Sequence, residues 1–289
     1  MSTEFVVEVP GGSLSGRRGD PTPDCRAPAG PLIVALHGGS YSAVYFDVPG
    51  FSLLDRAAEA GCTAIALDRP GYRSSTLPEY GESLFEANIA ALDAGIAELW
   101  RTEPSDAAGV VLLGHSIGGA LALLLAAGGT SWPLLGVAVS GVALDVPPTG
   151  PAYEEEGPAP VRVDIPDEVR TAAMFGPPGS YDPDAPQRAS VANQPVVYAE
   201  VAEMNARWSE LGPEAYRRIA VPVQVRLGEH DVVWEQGAAE LERVRRSLVA
   251  APRVDVARVP AAGHSIDFHR TGAAHQDAQI AFALACASA

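Results

Sequence analysis

Short apolar runs alternate with segments of helical periodicity along most of the chain. Continuous runs such as residues 32–36 and 110–113 have no polar face, which is typical of strands buried on both sides of a parallel sheet. The other predicted strands are residues 4–9, 13–18, 63–67, 135–139, 221–227 and 254–259. The predicted helices are residues 51–60, 83–101, 117–127, 235–249 and 273–287. This order predicts an α/β fold with a mainly parallel sheet covered by helices.

Residues 145–220 break this rhythm. The stretch is rich in proline and has few strand patterns, but helical patterns occur at residues 167–175 and 195–211. Apolar residues of the second pattern recur at spacings of three and four, as on one helix face; they are Val197, Val201, Met204, Trp208 and Leu211. We therefore expect a core formed by residues 1–144 and 221–289, with residues 145–220 as a mainly helical insert packed over the sheet.

Composition narrows the range of functions. The 289 residues carry a net charge of −16, which argues against a basic face for nucleic acid or an anionic membrane. Lysine is absent, which excludes Schiff-base chemistry, pyridoxal phosphate anchoring and a P-loop lysine. The three cysteines are widely spaced and match no metal-ligand pattern, so we expect free thiols and no metal site.

Targeting signals are not visible in the sequence. Residues 1–4 show no basic leader region, and the most apolar stretch, residues 119–127, is too short to cross a bilayer. We expect a cytoplasmic protein without nucleic-acid or membrane partners, and the sequence leaves a homodimer open.

One apolar run ends in a pattern that carries chemistry. Residues 110–119 read VVLLGHSIGG, an apolar run followed by G-x-S-x-G, and an Ala/Leu-rich helical run follows. Strand, tight turn and helix in this order are the context of a nucleophile elbow, whereas the bare pattern would indicate only a glycine-rich loop. Gly114, Gly118 and Gly119 leave the space that the tight turn requires. Ser116 is therefore the candidate nucleophile.

A serine hydroxyl needs a base within reach and a carboxylate that fixes the tautomer of that base. His264 follows the last predicted strand and so stands at the carboxyl edge of the sheet, where binding and catalytic groups gather. Asp231 follows the preceding strand, and the chain order Ser, Asp, His is that of this architecture. Asp145 and Glu229 are rival carboxylates, for which a surface salt bridge is the alternative role.

Negative charge that develops on a carbonyl oxygen needs fixed N–H donors. The N–H of Ile117 lies at the start of the helix after the nucleophile, where the helix dipole favours negative charge. A second donor is expected from residues 37–40 (HGGS), which follow the first parallel strand; Gly39 is the first choice and Ser40 the next. His37 is expected to brace this loop.

These pieces together resemble the α/β-hydrolase superfamily nearly end to end. The matching motifs are residues 37–39 (HGG), 68–75 (DRPGYRSS), 114–119 (GHSIGG), 228–231 (GEHD) and 262–264 (AGH). The resemblance implies a mostly parallel eight-stranded sheet, a cap inserted after the sixth strand, and no cofactor. The proline-rich stretch begins at that insertion point.

Within that superfamily, a serine nucleophile is typical of esterases, thioesterases, amidases and carbon–carbon hydrolases. The resemblance therefore implies a carboxylesterase- or thioesterase-like serine hydrolase that acts on an acyl bond of a small to medium, partly apolar molecule. A non-hydrolytic member of the same fold stays open as the alternative: a lyase or cyclase, a cofactor-free haloperoxidase, or a ligand receptor.

Substrate contacts are expected from the loop after the first parallel strand, from the insert, and from the segment after the candidate base. The candidates are Ser40, Tyr41, Tyr45, Met174, Phe175, Tyr198, Trp208 and Phe268. Packing of insert against core is the alternative role for each side chain, and the helical stripe favours packing for Met204 and Trp208.

Overall fold

The computed structural model describes residues 2–22, 24–25, 29–102, 107–145 and 161–288. Its strands are β1 (Thr3–Val9), β2 (Gly12–Gly19), β3 (Leu32–Leu36), β4 (Ala64–Leu67), β5 (Val110–His115), β6 (Leu134–Ser140), β7 (Arg162–Val163), β8 (Val196–Val197), β9 (Val223–Gly228) and β10 (Val254–Val259). Its helices are α1 (Leu53–Glu59), α2 (Leu84–Thr102), α3 (Ile117–Gly128), α4 (Asp167–Met174), α5 (Ala185–Ala189), α6 (Tyr198–Arg218), α7 (Ala238–Ser247) and α8 (Gly272–Ala287).

Eight strands form one sheet in the order β1-β2-β4-β3-β5-β6-β9-β10. The strands β1 and β2 pair antiparallel, β2 meets β4 antiparallel, and every other pairing is parallel. The predicted α/β class with a mostly parallel eight-stranded sheet is therefore confirmed. Because β3, β5, β6, β9 and β10 run in one direction, their carboxyl ends meet at one edge.

Helices cover both faces of the sheet, and this explains why the central strands read as continuous apolar runs. In β3, Val34 and Leu36 belong to one apolar cluster with side chains of α2 and α3. Ile33 and Ala35 belong to a second cluster with side chains of α1 and α8. Successive side chains of a strand point to opposite faces, so a strand covered on both sides needs an apolar residue at every position.

The long helix α6 differs from its sequence prediction. The prediction ends this helix before the Gly-Pro pair at 212–213, but the helix continues through Pro213 to Arg218. Proline removes one backbone hydrogen bond, and tertiary packing compensates for that loss. Ala215 and Tyr216 of the last turns are buried in the core, and the Tyr216 hydroxyl donates to the carbonyl oxygen of Val142 at 3.3 Å.

Residues 161–220, which lie between β6 and β9, pack against the carboxyl edge of the sheet. We refer to residues 161–220 as the cap segment; residues 146–160 lie outside the described part of the chain. The backbone N–H of Gln194 donates to the Ser40 carbonyl, and Trp208 Nε1 donates to the Ala143 carbonyl at 2.7 Å. The domain boundaries 1–144, 145–220 and 221–289 stay a prediction. No helix among the described residues has the length and apolar character needed to cross a membrane.

Candidate active site

The turn between β5 and α3 holds Ser116 in a strained conformation. Its φ of 53° and ψ of −123° lie in a region that residues with a side chain rarely adopt, and its N–H donates to the Ser140 carbonyl at 2.8 Å. A Cβ atom at Gly118 would lie 2.2 Å from the Leu36 carbonyl oxygen, and one at Gly114 would lie 2.5 Å from the Cα of Gly119. The predicted need for glycine around the serine is therefore confirmed at both positions.

His264 and Asp231 are joined at the same edge of the sheet. The Nδ1 atom of His264 lies 2.8 Å from Oδ2 of Asp231, and both side chains are almost fully buried. The other carboxylate oxygen of Asp231 accepts the N–H groups of Val233 at 2.8 Å and Trp234 at 3.1 Å. A carboxylate held in this way places the proton of the neutral imidazole on Nδ1, which leaves Nε2 as an acceptor.

The two rival carboxylates are bound elsewhere. Asp145 is half exposed and forms an ion pair with Arg243, which lowers the pKa of Asp145. Glu229 accepts the backbone N–H of Ala261 at 2.9 Å, a hydrogen bond that lowers the pKa of Glu229, and it lies 3.7 Å from Arg258. Neither carboxylate has a hydrogen bond to His264 within the described residues.

The loop at residues 37–40 lies directly against the elbow. We refer to these residues as the oxyanion loop. A Cβ atom at Gly38 would lie 3.1 Å from the Cβ of Ser116, and one at Gly39 would lie 3.1 Å from Cδ1 of Ile117. Ile117 is the first residue of α3, and the first N–H groups of a helix have no acceptor within it. Gly39 and Ile117, the residues of the two predicted N–H donors, thus line one cavity together with Ser116.

His37 braces this loop, as the sequence suggested. Its Nε2 accepts the backbone N–H of Arg69 at 3.0 Å, and its Nδ1 donates to the carbonyl oxygen of Gly38 at 2.8 Å. Burial lowers the pKa of His37 well below its usual value, and the charge of Arg69 acts in the same direction. The ring is therefore neutral, as its acceptor role requires.

A cavity of about 230 Å³ opens above Ser116 and His264. Its walls come from the oxyanion loop, α4, α6 and the segment after Asp231. The side chains beyond the candidate catalytic groups are mostly apolar: Ile165, Val169, Ala173, Met174, Val196, Val201, Met204, Val233 and Trp234. Ser40, Arg170 and Asn205 are the other polar or charged residues of this lining.

None of the six aromatic residues that the sequence suggested as substrate contacts belongs to this lining. Phe268 and Tyr45 are fully buried with their rings 4.7 Å apart, and the Tyr45 hydroxyl donates to Asp267 at 2.8 Å. Tyr45 also stacks on His115 at 4.8 Å. Burial and the neighbouring ring of His264 hold the pKa of His115 well below its usual range. These rings form a neutral, packed support behind the elbow.

The remaining aromatic candidates are likewise packed. Trp208 is buried, with its indole N–H donating to Ala143. Phe175 packs on Tyr181 with ring centres 4.9 Å apart. The Tyr41 hydroxyl lies 3.2 Å from Oγ of Ser265, and burial raises the pKa of Tyr41 to about 12. Tyr198 is also absent from the cavity lining, whereas Ser40 and Met174 belong to it.

The sequence contains a pattern that indicates the apolar cavity wall, although the sequence prediction did not identify most of its residues. Ile165, Val169 and Ala173 are spaced by four residues, which places them on one face of α4 and the turn before it. Val201 and Met204 belong to the predicted stripe of α6, but the same stripe continues to Trp208, which packs on the core. Periodicity identifies a helix face that is covered and does not distinguish a cavity from a core.

Comparison with known proteins identifies the family of this chain. The sequence model of the alpha/beta hydrolase family matches residues 33–276, which is most of the chain. The protein belongs to the alpha/beta hydrolase family. Its similarity to curated relatives is partial: 36% identity over 123 residues with "Protein phosphatase methylesterase 1" of Gibberella zeae. That match spans 40% of this chain and 29% of the relative, so the chain covers less than a third of the relative's length.

Solved structures share the fold of this chain over nearly its whole length. The monoacylglycerol lipase of Paleococcus ferrophilus superposes with a TM-score of 0.67 at 18% identity, covering 99% of this chain and 98% of the lipase. E-2-(Acetamidomethylene)succinate hydrolase superposes with a TM-score of 0.67 at 20% identity, covering 98% of this chain and 99% of that enzyme. Likeness at this level of identity concerns the fold alone.

Proposed function

We propose that the protein is a serine hydrolase that cleaves an ester, thioester or related acyl bond through Ser116, His264 and Asp231. The 2.8 Å bond between His264 and Asp231, beside a serine on a strained elbow, carries this proposal. His264 and Ser116 line one cavity. Because Nδ1 of His264 is bound to Asp231, Nε2 is the ring nitrogen that can accept the proton of Ser116.

The mechanism that follows is acyl transfer in two steps. His264 takes the proton of Ser116 as its oxygen attacks the carbonyl carbon, and Asp231 stabilises the imidazolium that forms. The N–H groups of Gly39 and Ile117 bind the negatively charged oxygen of the tetrahedral intermediate. His264 then protonates the leaving group, and a water molecule, activated by the same imidazole, releases the acyl group from Ser116.

The substrate class follows from the size and the lining of the cavity. A volume of about 230 Å³ lies below the range of about 300–1,000 Å³ that is usual for drug-sized ligands, so it suits a small to medium molecule. Its walls are mainly aliphatic, which favours an apolar acyl or alkyl group. The methylesterase named among the curated relatives supports an ester as the bond that is cleaved.

A panel of p-nitrophenyl esters and acyl thioesters tests this proposal. We expect turnover of short and medium acyl chains that falls to the background rate in Ser116→Ala. Ser209→Ala, at an exposed position of α6, is the matched control and should retain full turnover. If the folded wild-type protein turned over no member of the panel, or if Ser116→Ala retained activity, the hydrolase proposal would be wrong and a non-hydrolytic role would replace it.

A further inference from the structure

Arg69 holds two carbonyl oxygens of the oxyanion loop. It follows β4 and is fully buried, and its Nε donates to the carbonyl of His37 at 2.7 Å. One of its terminal nitrogens, Nη2, donates to the carbonyl of Gly38 at 3.2 Å. The guanidinium therefore lies on the side of the oxyanion loop to which the His37 and Gly38 carbonyl groups point.

The Gly38 carbonyl matters because it shares a peptide unit with the N–H of Gly39. In a trans peptide, the C=O and N–H bonds point in opposite directions, and no cis peptide bond occurs in the described residues. Two donors, Arg69 and the Nδ1 of His37, hold the Gly38 oxygen on one side. The N–H of Gly39 is thereby directed to the opposite side, where Gly39 lines the cavity.

The position of Arg69 is set in turn by the cap segment. Glu200 of α6 is fully buried and forms an ion pair with both terminal nitrogens of Arg69. Asn88 Nδ2 donates to the same carboxylate at 3.0 Å, and the Tyr72 hydroxyl donates to it at 2.8 Å. Burial acts to lower the pKa of Arg69, but Glu200 and Tyr72 more than offset this, so its pKa is raised and the guanidinium stays charged.

The other end of the oxyanion loop is also held by the cap segment. The Ser40 carbonyl accepts Nη1 of Arg170, on α4, at 2.8 Å, and the backbone N–H of Gln194 at 2.9 Å. Ser40 has a φ of 61°, a left-handed conformation that needs support from its surroundings. Cap residues thus fix the loop at both ends of the Gly39 donor.

We propose that Glu200 is a positioning residue of the oxyanion hole: through Arg69 it orients the Gly38–Gly39 peptide so that the Gly39 N–H meets the developing oxyanion. This inference rests on the proposed acyl-transfer function. The cap segment then does more than enclose substrate, because it completes the group that stabilises the transition state. Loss of Glu200 should therefore reduce kcat and leave KM nearly unchanged, since the oxyanion exists only after attack.

The matched pair Glu200→Gln and Glu203→Gln tests the inference. Both glutamates are buried on α6, but Glu203 binds Ser83 Oγ and the N–H of Phe85 at the start of α2 and makes no hydrogen bond to the oxyanion loop. With the best ester of the panel, Glu200→Gln should lower kcat about 10- to 100-fold, less than the loss of an entire donor. KM should stay within about 3-fold, and Glu203→Gln should stay within about 3-fold in both constants.

A second readout separates positioning from a structural effect. A trifluoromethyl ketone that matches the acyl chain of the ester forms an oxyanion adduct with the serine, so its affinity should fall in Glu200→Gln by the same factor as kcat. Tyr72→Phe removes the hydrogen bond to Glu200 and a longer one from the Val197 N–H, and it keeps the ion pair. It should therefore show the same pattern to a smaller degree even if Glu200→Gln fails to fold. Equal kcat and ketone affinity in the wild type and Tyr72→Phe, together with equal effects of the two glutamate variants, would overturn the inference. A wild-type protein without Ser116-dependent turnover would instead contradict the proposed function itself.

Discussion

The imidazole Nδ1 of His264 lies 2.8 Å from the carboxylate of Asp231, and the protein interior surrounds both groups. The other oxygen of Asp231 is held by two backbone N–H groups, so the carboxylate has a fixed orientation. An imidazole held in this way carries its proton on Nδ1 when it is neutral, and a neutral amide in place of Asp231 would favour the other tautomer.

Asp231→Asn should therefore lower kcat by about 10³- to 10⁴-fold and leave the fold intact. Steady-state kinetics with the best ester measure this loss. Asp145→Asn is the matched control, since Asp145 pairs with Arg243 at a half-exposed position. A larger loss in Asp145→Asn than in Asp231→Asn would reverse the assignment of the acid.

The elbow requires glycine at position 118 for a steric reason that a stability measurement can isolate. Alanine at Gly118 would press its Cβ against the backbone carbonyls of Leu36 and His37, at 2.2 and 2.4 Å, and backbone atoms have little freedom to move away. We expect Gly118→Ala to destabilise the fold by more than about 3 kcal/mol in urea denaturation. Gly128→Ala, at the other end of the same helix, meets open space and should be neutral or stabilising by up to about 1 kcal/mol. Equal stability of the two variants would contradict this explanation of the elbow.

The apolar wall contributed by α6 should set the acyl-chain preference. Val201 lines the cavity, so Val201→Phe should narrow it. We expect kcat/KM for a hexanoyl or octanoyl ester to fall at least about 10-fold relative to the acetyl ester, because the longer chain loses apolar contact area. Val191→Phe is the control, since Val191 is exposed and lies outside this lining. An unchanged chain-length profile in Val201→Phe would place the acyl group elsewhere.

Buried histidines predict that stability falls at mildly acidic pH. Burial lowers the pKa values of His37, His115, His269 and His275 below 6.5 in the folded protein. The unfolded chain therefore binds more protons below about pH 6.5, and stability falls as the pH decreases through that point, by up to about 1.4 kcal/mol per pH unit for each histidine. Thermal unfolding between pH 8 and pH 5.5 measures the effect.

His275 offers a direct check of that explanation. Neither of its ring nitrogens has a hydrogen-bond partner within the described residues. His275→Leu should therefore reduce the dependence of Tm on pH and raise Tm at pH 5.5 relative to the wild type. A pH dependence that is absent in the wild type, or unaltered in this variant, would rule out the proposed origin.

The strand and helix pattern around the elbow could be predicted because both local and long-range effects favour the same elements. Residues 110–119 combine a strand buried on both faces, a turn that needs glycine and an apolar helix, and each of these leaves its own mark on the sequence. The end of α6 could not be predicted, since Pro213 disfavours a helix locally and only the buried side chains of Ala215 and Tyr216 compensate. The bond between His264 and Asp231 could also be predicted. Each residue follows one of two consecutive strands, β9 and β10, which pair in parallel and end at the same edge of the sheet.

The cavity wall was harder to predict because an apolar side chain has the same sequence signal in a core and in a pocket. Tyr45 and Phe268 were candidates for substrate contact because of their positions in the sequence. In the structure Tyr45 stacks on His115 and Phe268 packs on Tyr45, so neither side chain lines the cavity. The ion pair between Arg69 and Glu200 joins residues 131 positions apart, and no local pattern indicates such a contact. Both the cavity wall and this ion pair depend on the packing of the cap segment against the edge of the sheet, which is a long-range contact.

Labelling with a fluorophosphonate, followed by intact-mass and peptide-mapping analysis, tests the central claim most directly. The reagent reacts with a serine that a neighbouring base activates and an oxyanion hole supports. We predict a single adduct on Ser116 that is absent in Ser116→Ala and forms far more slowly in His264→Ala. A folded wild-type protein that forms no adduct, or an adduct that persists in Ser116→Ala, would contradict the assignment of Ser116 as the nucleophile.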